Sequence, residues 1–137
     1  MAVDPSVVSD LAATDLFGSL GKRALEAIAA QTRVVDHPPG REITEEGGNA
    51  TGFHLIRSGK ASVTVHGEPR ADLGPGDYFG EISLIDGLPR TATVTADGPL
   101  TTLSLASWSF RPILDEQPEV ARALLNVLCK RLRAVQG

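Results

Sequence analysis

The sequence predicts a mainly β fold with flanking helices, an antiparallel β jelly-roll barrel, and three observations carry that expectation. Short alternating runs bounded by glycine and proline fill the middle of the chain, helical periodicity is confined to its two ends, and no alternation of strand and helix links them. The 14 glycines and 9 prolines among 137 residues suit many turns and short strands better than a helical bundle. A chain of this length is expected to be one domain with its own core, and 42% hydrophobic with 22% charged residues argues against wholesale disorder.

Residues 1–31 read as a helical lead-in, with Leu20, Ala24 and Ile28 at i, i+4 and i+8 and Leu25 and Ala29 beside them. Thr32 to His37 is short and rich in β-branched residues, and Pro38-Pro39-Gly40 cannot continue a helix, so the barrel is expected over 32–106. Phe53 and Leu55, then Ala61, Val63 and Val65, alternate on either side of Ser58-Gly59. That reads as a hairpin that turns these five inward and sends His54, Ser62, Thr64 and His66 to the opposite face. Gly67-Glu68-Pro69 punctuates the chain, a strand runs through Leu73, and Gly74-Pro75-Gly76-Asp77 makes a dense turn. Thr91–Ala96 and Thr101–Leu105, around Asp97-Gly98-Pro99, form a second hairpin-like pair, for about seven or eight strands in all.

Residues 107–137 return to helix. Ser107 offers a cap for a helix carrying Trp108, Phe110, Ile113 and Leu114, and Pro118 suits the first turn of another that runs to Val135. On that last helix Val120, Leu124, Leu128, Leu132 and Val135 form one apolar stripe, with Leu125 and Val127 alongside, that must pack on something.

Charge and composition narrow the function. Seventeen acidic against 13 basic residues give a net charge of −4, the wrong sign for a domain that grips phosphate backbones, so no direct DNA binding is expected. The cations Lys130, Arg131 and Arg133 read as a solvated helix end complementing the dipole. No apolar run approaches the roughly 18 residues that span a bilayer, and Met1 to Asp15 lacks a signal-peptide pattern; a cytoplasmic protein without membrane contact is expected. Cys129 stands alone, permits no internal disulfide, and reads as a small buried or half-buried residue. His37, His54 and His66 are the candidates for a cupin-type metal enzyme. They contain no His-x-His pair, and alternation turns His54 and His66 away from the interior, so neither metal nor catalysis is expected.

The stretch 78–94 carries the chemistry. After a turn, Gly80 and Glu81 open a short apolar helical run, so the N–H groups of Gly80, Glu81 and Ile82 point out of a helix N-terminus and suit an anion. Gly80 allows close approach of a ligand to the backbone, and Arg90 returns nine residues after Glu81 with an always-charged fork suited to phosphate oxygens. The Glu81 carboxylate would repel phosphate unless it faces a hydroxyl from which it accepts, which suggests a sugar. Together these residues describe a pocket for a sugar phosphate joined to something flat and apolar.

Phe79-Gly80-Glu81-Ile82-Ser83-Leu84, a short loop, and Pro89-Arg90-Thr91-Ala92-Thr93-Val94 resemble at every position the phosphate-binding cassette of the cyclic nucleotide-binding domain family, the type of the catabolite activator and the protein kinase regulatory subunit. The resemblance extends to Leu55–Val63, to Gly74–Gly80, and to Leu16-Phe17 with Leu20. It implies that the N–H groups of Glu81, Ile82 and Ala92 hold a cyclic phosphate, with Gly80 and Ser83 in the same turn. Arg90 would pair with its exocyclic oxygens, and the Glu81 carboxylate would accept from the ribose 2′-hydroxyl. Val63 and Leu73 match wall positions beside ribose and base, and Thr91 matches a position that can reach the base, where threonine resembles relatives that favour cyclic GMP. Cyclic AMP (cAMP) is the expected ligand and cyclic GMP the alternative. The last helix resembles the family's lid: Arg131 matches a position that can pair with the cassette glutamate, and Val135 with Gln136 falls where the base is capped.

The chain stops at Gly137, where longer relatives continue into an output domain, so the resemblance implies a stand-alone regulatory module. It would signal to an unidentified protein effector through lid-helix rearrangement, with a homodimer through the C-terminal helix as a further expectation. The competing reading is a ligand-free interaction module that kept the fold.

Overall fold

Where each strand finds its partner decides the architecture. The computed structural model describes residues 3–44, 52–86 and 92–136, within which the chain divides into a helical unit, 1–31 with 109–137, and a β unit, 32–108. In chain order the elements are α1 (Pro5–Ala12), α2 (Lys22–Ala30), β1 (Arg33–His37), β2 (Glu42–Thr44), β3 (Gly52–Ser58), β4 (Ala61–Val65), β5 (Glu68–Leu73), β6 (Tyr78–Phe79), α3 (Glu81–Asp86), β7 (Thr93–Ala96), β8 (Leu100–Ala106), α4 (Ser107–Glu116) and α5 (Pro118–Gln136). The eight strands among the described residues form two four-stranded antiparallel sheets, ordered β1-β8-β3-β6 and β2-β7-β4-β5. No helix among them is long and apolar enough to cross a membrane.

Both hairpins expected from the sequence are instead crossings between sheets. β3 pairs with β8 and β6, whereas β4 pairs with β5 and β7, so Ser58-Gly59-Lys60 carries the chain from one sheet to the other. Asp97-Gly98-Pro99 does the same between β7 and β8. The two links lie against each other: the Asp97 N–H donates to the Lys60 carbonyl at 2.9 Å, and the Ser62 hydroxyl donates to the Asp97 carboxylate. Gly59 has φ +93°, and a Cβ there would stand 2.3 Å from the Pro99 carbonyl oxygen. Turn composition marked both corners, but pairing partners are a tertiary property that alternation does not encode. β4 and β5 do form a hairpin, closed by His66 and Gly67 with φ of +52° and +77°, the positive pair that a two-residue loop requires.

Register also corrects which face of β3 looks inward. His54 pairs with Ser104 and Ile56 with Thr102, while Phe53 pairs with Leu105 and Leu55 with Leu103. Ile56, Phe79 and Leu100 from the first sheet meet Ala61, Val94 and Ala96 from the second, with Ile43, Val63 and Leu73 packed on them. His54 therefore shares the face of Ile56, and Phe53 and Leu55 are buried on the other face, against the expectation. A strand buried on both faces gives no polar–apolar contrast to read, and His54 is tolerated inside because the Ser104 hydroxyl lies 2.8 Å from its Nδ1.

In the helical unit, Asp4 caps α1 by accepting from the Ser6 N–H at 2.8 Å. Thr14 closes the following turn, its hydroxyl donating to the Leu11 carbonyl and accepting from the Phe17 N–H. Phe17 and Phe110 pack ring to ring at 6.2 Å, and Leu11, Leu16, Ile28 and Val120 are buried in the same unit. The single stripe expected on α5 divides in two. Val120, Ala123, Leu124 and Val127 are buried, whereas Leu125, Leu132 and Val135 are exposed at 62%, 58% and 86%. Cys129, two residues past Val127 and off the buried face, is exposed rather than buried.

The crossing geometry gives a contrast between two glycines with nearly equal φ. Gly76, at φ +90°, has nothing within 4 Å of an added Cβ. Gly76→Ala is expected to cost about 1 kcal/mol for the left-handed backbone, and Gly59→Ala about 2–4 kcal/mol because the Pro99 carbonyl must also move. Urea unfolding of both variants checks this, and equal losses would contradict a locked crossing.

Candidate functional site

The candidate site starts from a turn that is pinned at both ends. Within Gly74–Asp77, the Asp77 carboxylate accepts from the Gly74 N–H at 2.9 Å, and the Asp77 N–H returns to the Gly74 carbonyl at 3.0 Å. Two further backbone bonds, Ile56 N–H to Asp77 carbonyl and Gly76 N–H to Ile56 carbonyl, tie the turn to β3. From there β6 runs antiparallel to β3, Phe79 opposite His54 and Tyr78 opposite Leu55. Gly80 follows at φ +85°, a conformation glycine takes without strain, and it redirects the chain from strand into α3.

The first intrahelical bond of α3 runs from the Leu84 N–H to the Gly80 carbonyl at 3.0 Å, so Glu81, Ile82 and Ser83 occupy the first turn, where N–H groups point out of the helix end. A helix of six residues adds little dipole; attraction for an anion here rests on those amides themselves. α3 lies against β3 and buries Leu84. Glu81 is half-buried.

The described chain resumes at Ala92 and enters β7 at Thr93. The Thr44 hydroxyl, on β2, donates to the Ala92 carbonyl at 3.2 Å. Nothing in the sequence singled out Thr44, because the bond joins segments 48 residues apart. β7 pairs Val94 with Val63 on β4, and Ala61 pairs with Leu73 on β5, so Val63 and Leu73 both face the inter-sheet interior, half-buried. Gly80, Glu81, the first-turn backbone of Ile82 and Ser83, Ala92, Val63 and Leu73 all belong to the β unit, with Val63 and Leu73 packed on the cluster that holds Phe79, the residue before Gly80. Arg90 and Thr91 lie outside the described residues. Arg131 and Val135 belong to the helical unit: Arg131 is half-buried and pairs with the exposed Asp15 carboxylate at 3.9 Å, and Val135 is exposed. A surface pair of that kind contributes at most about 1 kcal/mol.

Residues 34–117, more than half of the chain, match the cyclic nucleotide-binding domain. The chain belongs to the cyclic nucleotide-binding domain family. It is 30% identical, over 128 residues, to the CRP-like cAMP-activated global transcriptional regulator of Mycobacterium tuberculosis, covering 90% of this chain and 57% of that protein. With the cAMP-dependent protein kinase regulatory subunit of Yarrowia lipolytica it shares 40% over 119 residues, 82% of this chain and 29% of the relative. The chain therefore spans little more than half of the first relative and under a third of the second. Among solved structures, the N-terminal domain of a transcriptional regulator from Streptomyces coelicolor A3(2) superposes with a TM-score of 0.82 at 30% identity, covering 92% of this chain and 94% of that one. The Thermus thermophilus catabolite activator protein gives 0.75 at 29%, covering 90% and 60%. In this cyclic nucleotide-binding domain, the two sheets and the β6–Gly80–α3 passage are the parts that carry the candidate site.

Proposed function

We propose that this domain binds a 3′,5′-cyclic nucleotide, cAMP first among them, in the β unit and converts occupancy into regulation of a protein effector in the cytoplasm. The observation that carries the reading is the passage from β6 through Gly80, at φ +85°, into the first turn of α3. There, backbone amides, the Glu81 carboxylate and the interior-facing Val63 and Leu73 belong to one unit. The amides of Glu81, Ile82 and Ala92 hold the cyclic phosphate, Arg90 neutralises it, and Glu81 accepts from the ribose 2′-hydroxyl. Relatives named as cAMP-activated and cAMP-dependent support cAMP, while Thr91 keeps cyclic GMP as the alternative. α4 and α5 act as the lid, with Arg131 and Val135 toward the ligand, and the ligand acts by favouring one of two lid packings through differential contacts. The chain has no catalytic role in this reading.

The exposed apolar residues of α5 support a second element of the proposal, a homodimer through that helix. Leu125, Leu128 and Leu132 follow the three-four spacing of a coiled-coil seam, and Leu125 and Leu132 are exposed. The occupant proposed is a second copy of this chain, whose own seam is complementary by symmetry.

Calorimetric titration of nucleotide-stripped protein is expected to give micromolar or tighter binding of cAMP, with cyclic GMP run in the same buffer. Arg90→Ala should weaken binding by about 2–5 kcal/mol, roughly 30-fold to several thousand-fold, since a buried phosphate loses its counter-charge. Glu81→Ala should cost about 1.5–3 kcal/mol and shrink the preference for 2′-hydroxyl over 2′-deoxy ligand. No heat with either nucleotide, from folded protein, turns the reading to the ligand-free interaction module. For the dimer, Leu132→Asp is expected to shift sedimentation to the monomer, and an unchanged sedimentation coefficient would remove the α5 seam.

A further inference from the structure

Inside the β unit a chain of polar groups crosses the first sheet from strand to strand. His37 Nε2 on β1 lies 2.9 Å from the Thr102 hydroxyl on β8, that hydroxyl lies 2.9 Å from the Ser104 hydroxyl, and Ser104 lies 2.8 Å from His54 Nδ1 on β3. The two imidazoles stand edge to face, 6.4 Å between centroids. His54 stacks at 5.0 Å on Phe79, the residue immediately before Gly80 and Glu81.

Proton counting constrains this chain. Three hydrogen bonds need three protons, and the two hydroxyls supply two. With both rings neutral, one ring must present an N–H inward and the other a lone pair. If His37 donates from Nε2, His54 accepts at Nδ1 and carries its proton on Nε2; if His54 donates from Nδ1, His37 carries its proton on Nδ1. Either way the two rings hold the same tautomer. A first added proton enters at the outward nitrogen of the ring that already donates, and all three bonds survive. A second puts N–H groups at both ends, four protons for three bonds, and expels one hydroxyl proton from the chain between two cations.

The surroundings offer the charge little help. His37 Nδ1 is buried with no hydrogen-bond partner among the described residues. Thr102 and Ser104 from β8, His54 from β3 and Phe79 from β6 are its neighbours along the chain, and the same face of the first sheet carries Ile56 and Leu100, which pack with apolar Ala61, Val94 and Ala96 of the second sheet. The charges acting on His37 are Asp36 on β1 and Arg41 just before β2. Burial first, then the Arg41 guanidinium, hold the His37 imidazolium below its ordinary range, and Asp36 opposes them only in part. With the folded value lowered, the stability tied to the neutral ring is complete above about pH 6.5 and is lost as the pH falls from there through the folded value.

We propose that His37, Thr102, Ser104 and His54 form a one-proton device inside the β unit, which takes up a single proton with its hydrogen-bond chain whole, breaks on the second, and passes its state through Phe79 to Gly80. The device stands on these four residues and is independent of the nucleotide reading.

Nitrogen-detected NMR of the histidine rings in the full chain, unliganded, from pH 8 to pH 5, tests it. Matching tautomers at pH 8 are expected, with the second protonation of the pair at least about one pH unit, tenfold in proton concentration, below the first. The Gly80 amide should move with that second step. Thr102→Val, which keeps the shape and cuts the chain, should close the gap between the two midpoints; Ser104→Ala cuts the next bond and serves where Thr102→Val does not fold. Opposite tautomers, a gap that neither cut alters, or a Gly80 amide indifferent to the titration would overturn the proposal.

Discussion

The β unit depends on a contact between two chain corners, Gly59 against the Pro99 carbonyl. Each corner moves the chain from one sheet to the other, and the approach is too close for any side chain at position 59. Because the two crossings sit side by side, joined by the Asp97–Lys60 backbone bond, strands that neighbour each other in sequence end in different sheets. The inter-sheet space is then filled from both sides by small and medium apolar residues, Ala61 and Ala96 opposite Ile56 and Leu100. Two alanines there keep the sheets close; larger residues would have to be accommodated by strain at the corners, since interiors pack at near-crystalline density.

The candidate site inherits its rigidity from β3. That strand receives β8 on one edge and β6 on the other, anchors the Gly74–Asp77 turn through Ile56, and supports α3. The amides of the first α3 turn are therefore aimed by a strand paired on both edges rather than by a free loop. Pre-organised donors of this kind need no reordering when a ligand arrives, which is the condition under which a few backbone hydrogen bonds yield useful affinity.

The parts of this design differ in how legible they are in the sequence. The passage from strand to helix at Gly80–Glu81 could be read because a glycine free to take a positive φ and the short apolar helical run after it are adjacent in the chain. The fold class could be read because turn chemistry at Gly59, His66-Gly67, Gly76 and Gly98 is local. Strand partnership could not: Ser58-Gly59 and His66-Gly67 look alike as turn signals, yet one joins two sheets and the other closes a hairpin. The difference lies in Pro99, some forty residues away. Thr44, bonding Ala92, is hidden for the same reason. The stripe on α5 misled in another way. Periodicity gathered Val120, Leu124, Leu128, Leu132 and Val135 into one face, whereas a small residue, Ala123, shares the buried side with Val127 while Leu132 and Val135 stay in solvent.

His54 is the most instructive departure. Polarity suggested that it faces outward, and a buried imidazole without partners would indeed cost several kilocalories per mole. The sheet removes that cost by supplying Ser104, and through Ser104 the hydroxyl of Thr102 and the ring of His37. Net gains of about 1 kcal/mol per hydrogen bond hardly exceed what well-packed apolar side chains would give in the same volume, so stability alone does not account for the chain. Its effect is on register. The bonds run across β1, β8 and β3, and sliding any of the three by one residue would turn its polar side chains to the other face and break the chain where it crosses between strands. A three-strand register held by polar groups discriminates against slipped alternatives more sharply than an apolar layer can, because apolar contacts re-form after a slip and these hydrogen bonds do not.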